Sequence, residues 1–123
     1  IVPVPMSRLR LFLRRFNQSA LLARQLSHNT GIAMDPHLLI RGRAAKRQVG
    51  LTRDQRRRNV ASAFRVPDRK LPDLRGRNVL LVDDVITTGA TVNACARALK
   101  RAGATRVDVL ALGLVTEVAL FAE

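Results

Sequence analysis

Aromatic residues, cysteine and histidine are scarce in this sequence of 123 residues. Trp and Tyr are absent and Phe occurs four times, so there are few platforms for the base stacking used by single-strand nucleic-acid binders. A single cysteine, Cys95, excludes an intramolecular disulfide and a cysteine-based zinc site within the chain. We therefore expect a reducing, cytoplasmic setting, with Cys95 in the core. His28 and His37 lack a third ligand at metal spacing and are interpreted as surface residues.

Acidic residues are also few. The chain has 9 Asp and Glu against 22 Lys and Arg, which gives a net charge of +13. Such an excess on a small domain indicates a polyanionic partner. A phosphorylated metabolite, a nucleic acid and an acidic membrane surface all satisfy it, and the charge alone does not choose among them.

No hydrophobic run reaches the length of a membrane span. The longest, residues 107–122, is interrupted by Thr116 and Glu117 and falls short of the roughly 20 apolar residues required. We expect a soluble protein without a membrane partner. The length predicts one domain over residues 1–123. Since the sequence opens on Ile1 and prolines rather than on Met, we also expect a domain truncated at its N-terminus.

Strand and helix signals alternate along the chain. In the first half we expect a strand at 1–4, a helix at 18–28 capped by Asn17 and ended by Gly31, and brief strands at 38–41 and 63–66. Leu22 and Leu26 lie four apart on one face of that helix. Asn17 with Gln18 is interpreted as a helix cap in preference to the alternative of a catalytic pair. A polar connector with Pro67, Pro72 and Gly76 follows the second brief strand.

The second half of the chain predicts a buried strand at 78–82, a helix at 90–102 with Gly103 after it, and a second buried strand at 107–112. The apolar stripe of the later helix is Val92, Cys95, Ala96 and Leu99. This β-α-β pattern predicts an α/β fold with a parallel sheet.

A basic stretch occupies residues 42–59. It contains seven Lys and Arg residues against the single acid Asp54, so it repels itself and has few core-forming side chains. We interpret it as a mobile loop. A solvated loop, a gate over a binding site and a nucleic-acid contact are all consistent with its composition.

The strongest functional signal lies in residues 79–91. Four apolar residues lead into Asp83 and Asp84, and five small residues (87–91) then turn the chain into a helix. Ligands of open α/β sheets bind at the carboxyl ends of strands, and amides at a helix N-terminus attract anions. This predicts a phosphate cradle beside a carboxylate pair, which suits a ribose 5-phosphate. The alternative is an Asp pair that caps a turn, with Thr chosen only for turn propensity.

The same segment resembles the signature of type I phosphoribosyltransferases: four apolar residues, two acids and, two residues later, Thr-Thr-Gly-Ala-Thr. A wider set of residues is similar to the competence protein F family. These are Val2-Pro3-Val4-Pro5, Arg15-Phe16-Asn17-Gln18, Leu51-Thr52 with Gln55, Arg58-Asn59-Val60 and Ala63-Phe64. The resemblance spans nearly the whole chain and implies a parallel-sheet, Rossmann-like phosphoribosyltransferase fold. Members usually carry an N-terminal zinc-binding cysteine segment and a further helix, so this chain resembles their C-terminal part. It departs from the family at Arg15, where Gly is usual.

The resemblance implies a role for each matching residue. Thr87, Thr88, Gly89, Ala90 and Thr91 would hold the 5-phosphate of phosphoribosyl pyrophosphate, and Asp83 and Asp84 would engage the ribose hydroxyls in catalysis. Pro5, Met6, Ser7 and Arg8 would form the pyrophosphate loop. Arg47, Thr52, Arg53 and Gln55 would belong to a flexible loop that closes over the site. Mg²⁺ would arrive mainly with phosphoribosyl pyrophosphate, and no residue of the chain is assigned to coordinate it directly. Dimers are common among such proteins, which makes a homodimer an expectation by analogy.

Two functions follow. The first is a phosphoribosyltransferase that binds phosphoribosyl pyrophosphate with Mg²⁺ and transfers the phosphoribosyl group to an unknown acceptor, releasing pyrophosphate. The second is a non-catalytic accessory of DNA uptake, or a nucleotide-sensing regulator, whose basic surface contacts nucleic acid. Contact with a phosphate backbone needs Arg and Lys but no aromatic base readout.

Overall fold

A computed structural model describes residues 1–6, 16–42 and 63–115. Five strands and three α-helices are present in these residues. The strands are β1 (Val2–Pro3), β2 (Ile40–Arg41), β3 (Phe64–Arg65), β4 (Asn78–Ile86) and β5 (Arg106–Leu114). The helices are α1 (Gln18–Thr30), α2 (Leu71–Leu74) and α3 (Ala90–Arg101), with a 3₁₀ turn at Asp68–Lys70.

Three of the strands form a parallel sheet in the order β1-β4-β5. Val2 pairs with Leu81 on one side of β4, and Leu81 pairs with Val109 on the other. Strand, helix and parallel strand follow one another from β4 through α3 to β5. The predicted α/β fold with a parallel sheet is thus confirmed.

The centre of the sheet is β4, and both of its faces are buried. Leu81 and Val82 are each 0% exposed, and successive side chains of a strand point to opposite faces. Leu81 joins the main core with Leu39 and Leu99, whereas Val82 and Ala23 are buried outside that cluster. Helix α1 packs against β1 and β4, and α3 packs against β3, β4 and β5. A strand covered in this way anchors whatever its carboxyl end carries.

Helix α1 begins and ends where its capping residues predict. The Asn17 side chain accepts hydrogen bonds from the amides of Ser19 and Ala20, and Gly31 closes the helix with φ 75°. The helix runs two residues further than expected, to Thr30. Its buried residues are Ser19 and Ala23, while the predicted stripe of Leu22 and Leu26 is only half-buried. Small side chains face the sheet because the helix lies close to β1 and β4.

Helix α3 matches its predicted stripe at Val92, Cys95 and Leu99, which are buried; Ala96 is half-buried. Burial raises the pKa of the Cys95 thiol to about 12, so Cys95 is an unreactive core residue, as expected. The helix ends at Arg101, and Gly103 has a φ of 117°. A Cβ at Gly103 would lie at a contact distance of 3.4 Å from the Cα of Arg75, so glycine is needed there for its backbone angle.

The two brief strands form a ribbon of their own. Strands β2 and β3 pair antiparallel, with Ile40 opposite Arg65, and make no pair with the parallel sheet. Each is shorter than predicted, although Leu38, Leu39 and Ala63 beside them are buried. The expected polar connector is instead partly helical, with the 3₁₀ turn and α2 between β3 and β4.

The prediction that residues 107–112 are buried is wrong. Strand β5 forms as expected, but Val109, Leu110, Leu112 and Leu114 are 40% to 77% exposed. Among the described residues β5 pairs only with β4, which makes it the edge of the sheet. Apolar composition predicted the strand, but among the described residues little covers the side chains on either face of β5.

No helix within the described ranges has the length and apolar character needed to cross a bilayer. Residues 43–59 of the predicted basic loop lie outside the described residues, and the single-domain prediction stays a prediction.

Candidate functional site

The candidate site lies where β1 ends and β4 continues. The amide of Val4 donates to the carbonyl of Val82 at 2.8 Å, which is the last bond between these chain segments in the described residues. Beyond it β4 pairs only with β5, as far as Ile86. Asp83 and Asp84 lie in this stretch, inside the strand rather than after it as the sequence predicted. An edge is therefore open beside the two carboxylates, at the kind of position where open α/β sheets bind ligands.

A cavity of about 570 Å³ occupies this edge. Four segments of the chain contribute to it: the end of β1, the start of α1, the end of β2, and the run from β4 into α3. The described residues that line it are Val4, Pro5, Met6, Asn17, Gln18, Ser19, Arg41, Asp83, Asp84, Val85, Ile86, Thr87, Thr88, Gly89, Thr91 and Val92. Its volume is within the range of small-molecule sites.

The two carboxylates are held by neighbouring backbone amides. The amide of Asp84 donates to Oδ1 of Asp83 at 2.9 Å, and the amide of Val85 donates to Oδ1 of Asp84 at 2.8 Å. Both side chains are half-buried. Each carboxylate is thus held in a defined position through its Oδ1 atom.

Burial raises the pKa of Asp83 above its ordinary value, and the adjacent Asp84 side chain raises it further. The hydrogen bonds from the Asp84 amide and the Ser19 hydroxyl act in the opposite direction without cancelling the rise. A raised carboxyl pKa means that the charged form is poorly compensated. A cation or a set of hydroxyl donors placed at Asp83 would remove that deficit.

The first turn of helix α1 contacts the Asp83 carboxylate. The Ser19 hydroxyl donates to Oδ1 of Asp83 at 3.3 Å, and Ser19 is 5% exposed. The Nδ2 group of Asn17 donates to the carbonyl of Val4 at 3.2 Å, so the helix cap also holds the end of β1. One cap therefore positions both the strand end and a carboxylate partner.

The predicted phosphate cradle is a tight turn between β4 and α3. Gly89 has a φ of 83° and is the N-cap residue of α3, which has no side-chain cap. Thr88 Oγ1 accepts from the amide of Ala90 at 3.2 Å. The side chains of Thr87, Thr88 and Thr91 are exposed and line the cavity. Amides at an uncapped helix N-terminus together with free hydroxyls can accommodate an anion.

One cation lines the same cavity as the carboxylates. Of the described residues that line the cavity, Arg41 is the only positively charged one. Its guanidinium carbon lies 5.4 Å from the centroid of the Phe64 ring, within the range of a cation–π contact. Phe64 is buried, so the ring is a fixed support for an exposed side chain. The cavity therefore combines two carboxylates, one guanidinium and a helix N-terminus.

The comparison with protein families agrees with this geometry. The model of the phosphoribosyl transferase domain matches residues 15–113, from just before α1 to nearly the end of β5. The chain belongs to the phosphoribosyl transferase domain family.

Relatives of this phosphoribosyl transferase domain have two kinds of name. The chain is 43% identical over 112 residues to "DNA utilization protein YhgH" of Salmonella typhi, which covers 91% of the chain and 48% of that protein. It is 37% identical over 112 residues to "Competence protein F" of Haemophilus influenzae, with the same coverage. A shorter match, 44% identical over 54 residues, is to "Adenine phosphoribosyltransferase" of Mycobacterium marinum and covers 44% of the chain and 29% of that enzyme. The chain spans about half the length of the first two relatives.

Most of the predicted site residues of the phosphoribosyl transferase domain come together in the structure. Asp83, Asp84, Thr87, Thr88, Gly89 and Thr91 line one cavity with Pro5 and Met6. Ala90 does not line it, because it is the first residue of α3 and its amide is bonded to Thr88. The remaining predicted residues, Ser7, Arg8, Arg47, Thr52, Arg53 and Gln55, lie outside the described residues.

Sequence reasoning missed two site residues and undervalued a third. Ser19 and Arg41 were not predicted to reach the site, and Asn17 was interpreted as a helix cap in preference to a catalytic pair with Gln18. That cap is confirmed, but Asn17 also lines the cavity. The available signal was position: Arg41 ends the brief strand just before the basic loop, and Ser19 lies in the first turn of the helix after the predicted pyrophosphate loop.

Proposed function

We propose that this chain is a phosphoribosyltransferase domain that binds phosphoribosyl pyrophosphate, or a similar ribose 5-phosphate ligand, together with Mg²⁺. The reaction would transfer the phosphoribosyl group to an acceptor and release pyrophosphate. One observation carries this: a half-buried carboxylate pair, Asp83 and Asp84, shares a single cavity with the Gly89 turn at the start of α3. The phosphate of one ligand would match the Gly89 turn, and the ribose hydroxyls of the same ligand would match the carboxylate pair.

The turn from Thr87 to Thr91 would hold the 5-phosphate. A positive φ at Gly89 lets the backbone approach an anion closely. The hydroxyls of Thr87 and Thr91 have no hydrogen-bond partner among the described residues, and both face the cavity. Support for the phosphate position is therefore the set of unused donors at this helix end.

Asp83 and Asp84 would accept hydrogen bonds from the 2- and 3-hydroxyls of the ribose. This role agrees with the raised pKa of Asp83, because hydroxyl donors stabilise the charged carboxylate that burial disfavours. Ser19 would hold the Asp83 side chain in the orientation needed for both contacts.

The donor set also fits Mg²⁺, which prefers oxygen ligands and keeps several of its waters. The described residues contain no group of three or more His, Cys, Asp or Glu that could hold a metal, so the ion would depend on ligand oxygens with Asp83 or Asp84. When bound, Mg²⁺ would act as a Lewis acid toward the pyrophosphate.

Breaking the bond from the ribose anomeric carbon to pyrophosphate needs a stabilised leaving group, a fixed ribose and exclusion of water. Arg41 lines the same cavity and would add positive charge for the pyrophosphate. Its support on Phe64 reduces the freedom lost on binding. Pro5 and Met6 would border the pyrophosphate from the β1 side.

Calorimetric titration tests this directly. The chain is titrated with phosphoribosyl pyrophosphate and MgCl₂, beside the double variant Asp83→Asn, Asp84→Asn. We expect binding to the native chain and a loss of at least about tenfold in affinity in the variant, since two charge-assisted hydrogen bonds are removed.

A matched control removes the same charge elsewhere. The double variant Asp68→Asn, Asp73→Asn changes two exposed acids outside the cavity and is expected to bind like the native chain. Absence of binding to a folded native chain would contradict the proposal, as would equal losses in both double variants.

Contact with nucleic acid is the second candidate function. It is supported by the net charge of +13 and by relatives whose names refer to DNA utilization and competence. The carboxylate variant separates the candidates: neutralising Asp83 and Asp84 would abolish sugar-phosphate binding but leave or strengthen binding to DNA, because it removes negative charge. The proposed location is cytoplasmic, which is compatible with a phosphorylated ligand and with a single reduced cysteine. The homodimer stays a prediction.

A further inference from the structure

A second concentration of positive charge lies at the other end of the sheet from the cavity. It consists of six exposed residues at the amino ends of β4 and β5 and along the later part of α3: Arg75, Arg77, Arg97, Lys100, Arg101 and Arg106. We call this set the amino-end surface. None of its members lines the cavity.

Backbone hydrogen bonds bring these residues together from three elements. The amide of Gly76 donates to the carbonyl of Gly103 at 2.9 Å, and the amide of Thr105 donates to the carbonyl of Arg77 at 2.8 Å. The loops that precede β4 and β5 are thus joined side by side. The register then places Asn78 opposite Arg106. Cationic side chains that are up to 31 positions apart in sequence share one surface as a result.

Close packing keeps the first of these loops against the end of α3. A Cβ at Gly103 would lie 3.4 Å from the Cα and 3.7 Å from the Cβ of Arg75. Lys100 and Arg101 belong to the last turn of α3, and the amide of Gly103 donates to the carbonyl of Lys100 at 3.1 Å. The backbone at Arg75 therefore lies beside the end of the helix.

The charge of this surface is mostly unpaired. Arg106 forms an ion pair with Asp108 at 3.0 Å, and the other five residues form no ion pair with any described residue. Asp73 and Asp108 are the nearest acids in sequence to these residues, and Asp83 and Asp84 lie toward the other end of β4, where they line the cavity. Five like charges on one surface repel one another, and a bound polyanion would remove that repulsion.

The chemistry of the surface favours the phosphates of a nucleic acid over other polyanions. Five of its six residues are Arg, whose planar guanidinium binds phosphate oxygens in pairs. The exposed large apolar side chains of the described residues do not belong to the two loops or to the last turn of α3. Insertion into a lipid surface needs such side chains, and base stacking needs aromatic ones; the surface has neither. It can contact a backbone without reading bases.

We propose that the amino-end surface binds the phosphate backbone of nucleic acid, without sequence preference, at a location separate from the sugar-phosphate cavity. Helix α3 runs from one to the other: its first residue follows the Gly89 turn, and its last is Arg101. Twelve helical residues span about 18 Å. Binding at one end therefore leaves the other open. This inference rests on the second candidate function, contact with nucleic acid, and does not depend on the cavity's ligand.

The test is fluorescence anisotropy with a labelled 20-base-pair duplex, and with one of its strands alone, over a range of salt concentrations. The full 123-residue chain is compared with the double variant Arg75→Glu, Arg101→Glu. We expect the variant to bind the duplex at least about tenfold more weakly. The slope of log affinity against log salt should fall by about 2, since each lost phosphate contact accounts for about 0.9.

The control variant carries an equal charge change on other elements: Arg24→Glu on α1 with Arg65→Glu on β3, both exposed. It should lose less than about threefold at moderate salt, where distant charges are screened. Circular dichroism and thermal melting establish that both variants are folded.

Equal losses in both double variants would overturn the inference, because the chain would then bind through its total charge. The inference would also be overturned if the native chain bound neither probe, or if its affinity depended on base sequence. It would be overturned as well if the chain bound the single strand more tightly than the duplex and that affinity did not change in the variant Arg75→Glu, Arg101→Glu.

Discussion

Strands β4 and β5 are both nine residues long and apolar, yet they have opposite surroundings. Strand β4 has a neighbour on each side and 0% exposure at Leu81 and Val82. Strand β5 pairs with one neighbour among the described residues, and Leu112 is 77% exposed. An apolar run therefore predicts a strand but not its burial, because burial depends on what the rest of the chain places beside it.

The same contrast extends to the polar residues of the two strands. Asp83 and Asp84 on β4 lie half-buried in a cavity built by four chain segments. Asp108 on β5 is exposed and pairs with Arg106, two residues away. A central strand can gather distant groups around a carboxylate, whereas an edge strand leaves its carboxylate to local partners and water.

The largest expected difference is between core leucines. Leu81→Ala removes a fully buried side chain, and we expect a loss of about 2–5 kcal/mol in the free energy of unfolding. Leu112→Ala on β5 should change it by about 0.5 kcal/mol or less, since that side chain is already exposed. Urea denaturation of both variants measures the difference. Similar losses would show that β5 is covered in solution.

Glycines provide the second comparison. Gly89, which follows β4, has a φ of 83°, and Gly89→Ala should cost about 1–2 kcal/mol because an L-residue is strained there. Gly113 on β5 lacks a positive φ, and a Cβ there would meet Val85 Cγ2 at an ordinary 3.5 Å. Gly113→Ala should therefore be nearly neutral. Thermal melting of the two variants measures both changes in stability. If Gly89→Ala left the stability unchanged, the strain expected for an L-residue in this turn would be contradicted.

The third prediction concerns the support of the β4 carboxylate by α1. Ser19→Ala removes the hydroxyl that donates to Asp83, and we expect an affinity loss of about threefold to tenfold for phosphoribosyl pyrophosphate with Mg²⁺. The substitution should also raise the pKa of Asp83 further. As the pH is lowered, the variant should therefore begin to lose affinity at a higher pH than the native chain does.

Ser27→Ala is the matched control on the same helix. Its hydroxyl donates to the carbonyl of Ile32 at 2.6 Å, away from the cavity. Calorimetric titrations over a pH series compare the two serine variants. If both shift the pH profile equally, Ser19 acts on the helix and not on Asp83.

The smallest effect is on the pH dependence of stability. Because the folded pKa of Asp83 is raised, mainly by burial, the folded chain binds more protons than the unfolded chain above the ordinary Asp pKa of about 3.9. Stability should fall as the pH rises through that window up to the raised value. Without ligand, Asp83→Asn should melt a few degrees higher than the native chain at pH 7, and the difference should vanish in acid.

Asp108→Asn on β5 provides the contrast. Its carboxylate is exposed and its surface ion pair contributes about 0–1 kcal/mol, so its melting temperature should stay the same or decrease slightly. A pH-independent effect of Asp83→Asn would show that the carboxyl is not strained by burial.

Much of the fold and half of the site could be predicted from local sequence. Asn17 and Gly31 mark the ends of α1 because capping depends on residues within one turn. The Gly89 turn and the acids before it are contiguous, so their proximity needs no tertiary information. The placement of Ser19 and Arg41 could not be predicted: the Ser19 hydrogen bond to Asp83 joins residues 64 positions apart, and Arg41 lies on a ribbon separate from the parallel sheet.

Sequence alone determined the order of the strands and of the two longer helices, the parallel pairing of the β4-α3-β5 unit, the Gly89 turn and the excess of positive charge. These follow from hydrophobic periodicity, capping and composition, which act over a few residues. Only the tertiary structure decided which strand is buried, which side chains surround Asp83, and which cations share the amino-end surface. Those outcomes depend on contacts between distant segments, whose geometry is set when the chain packs and not by any one segment.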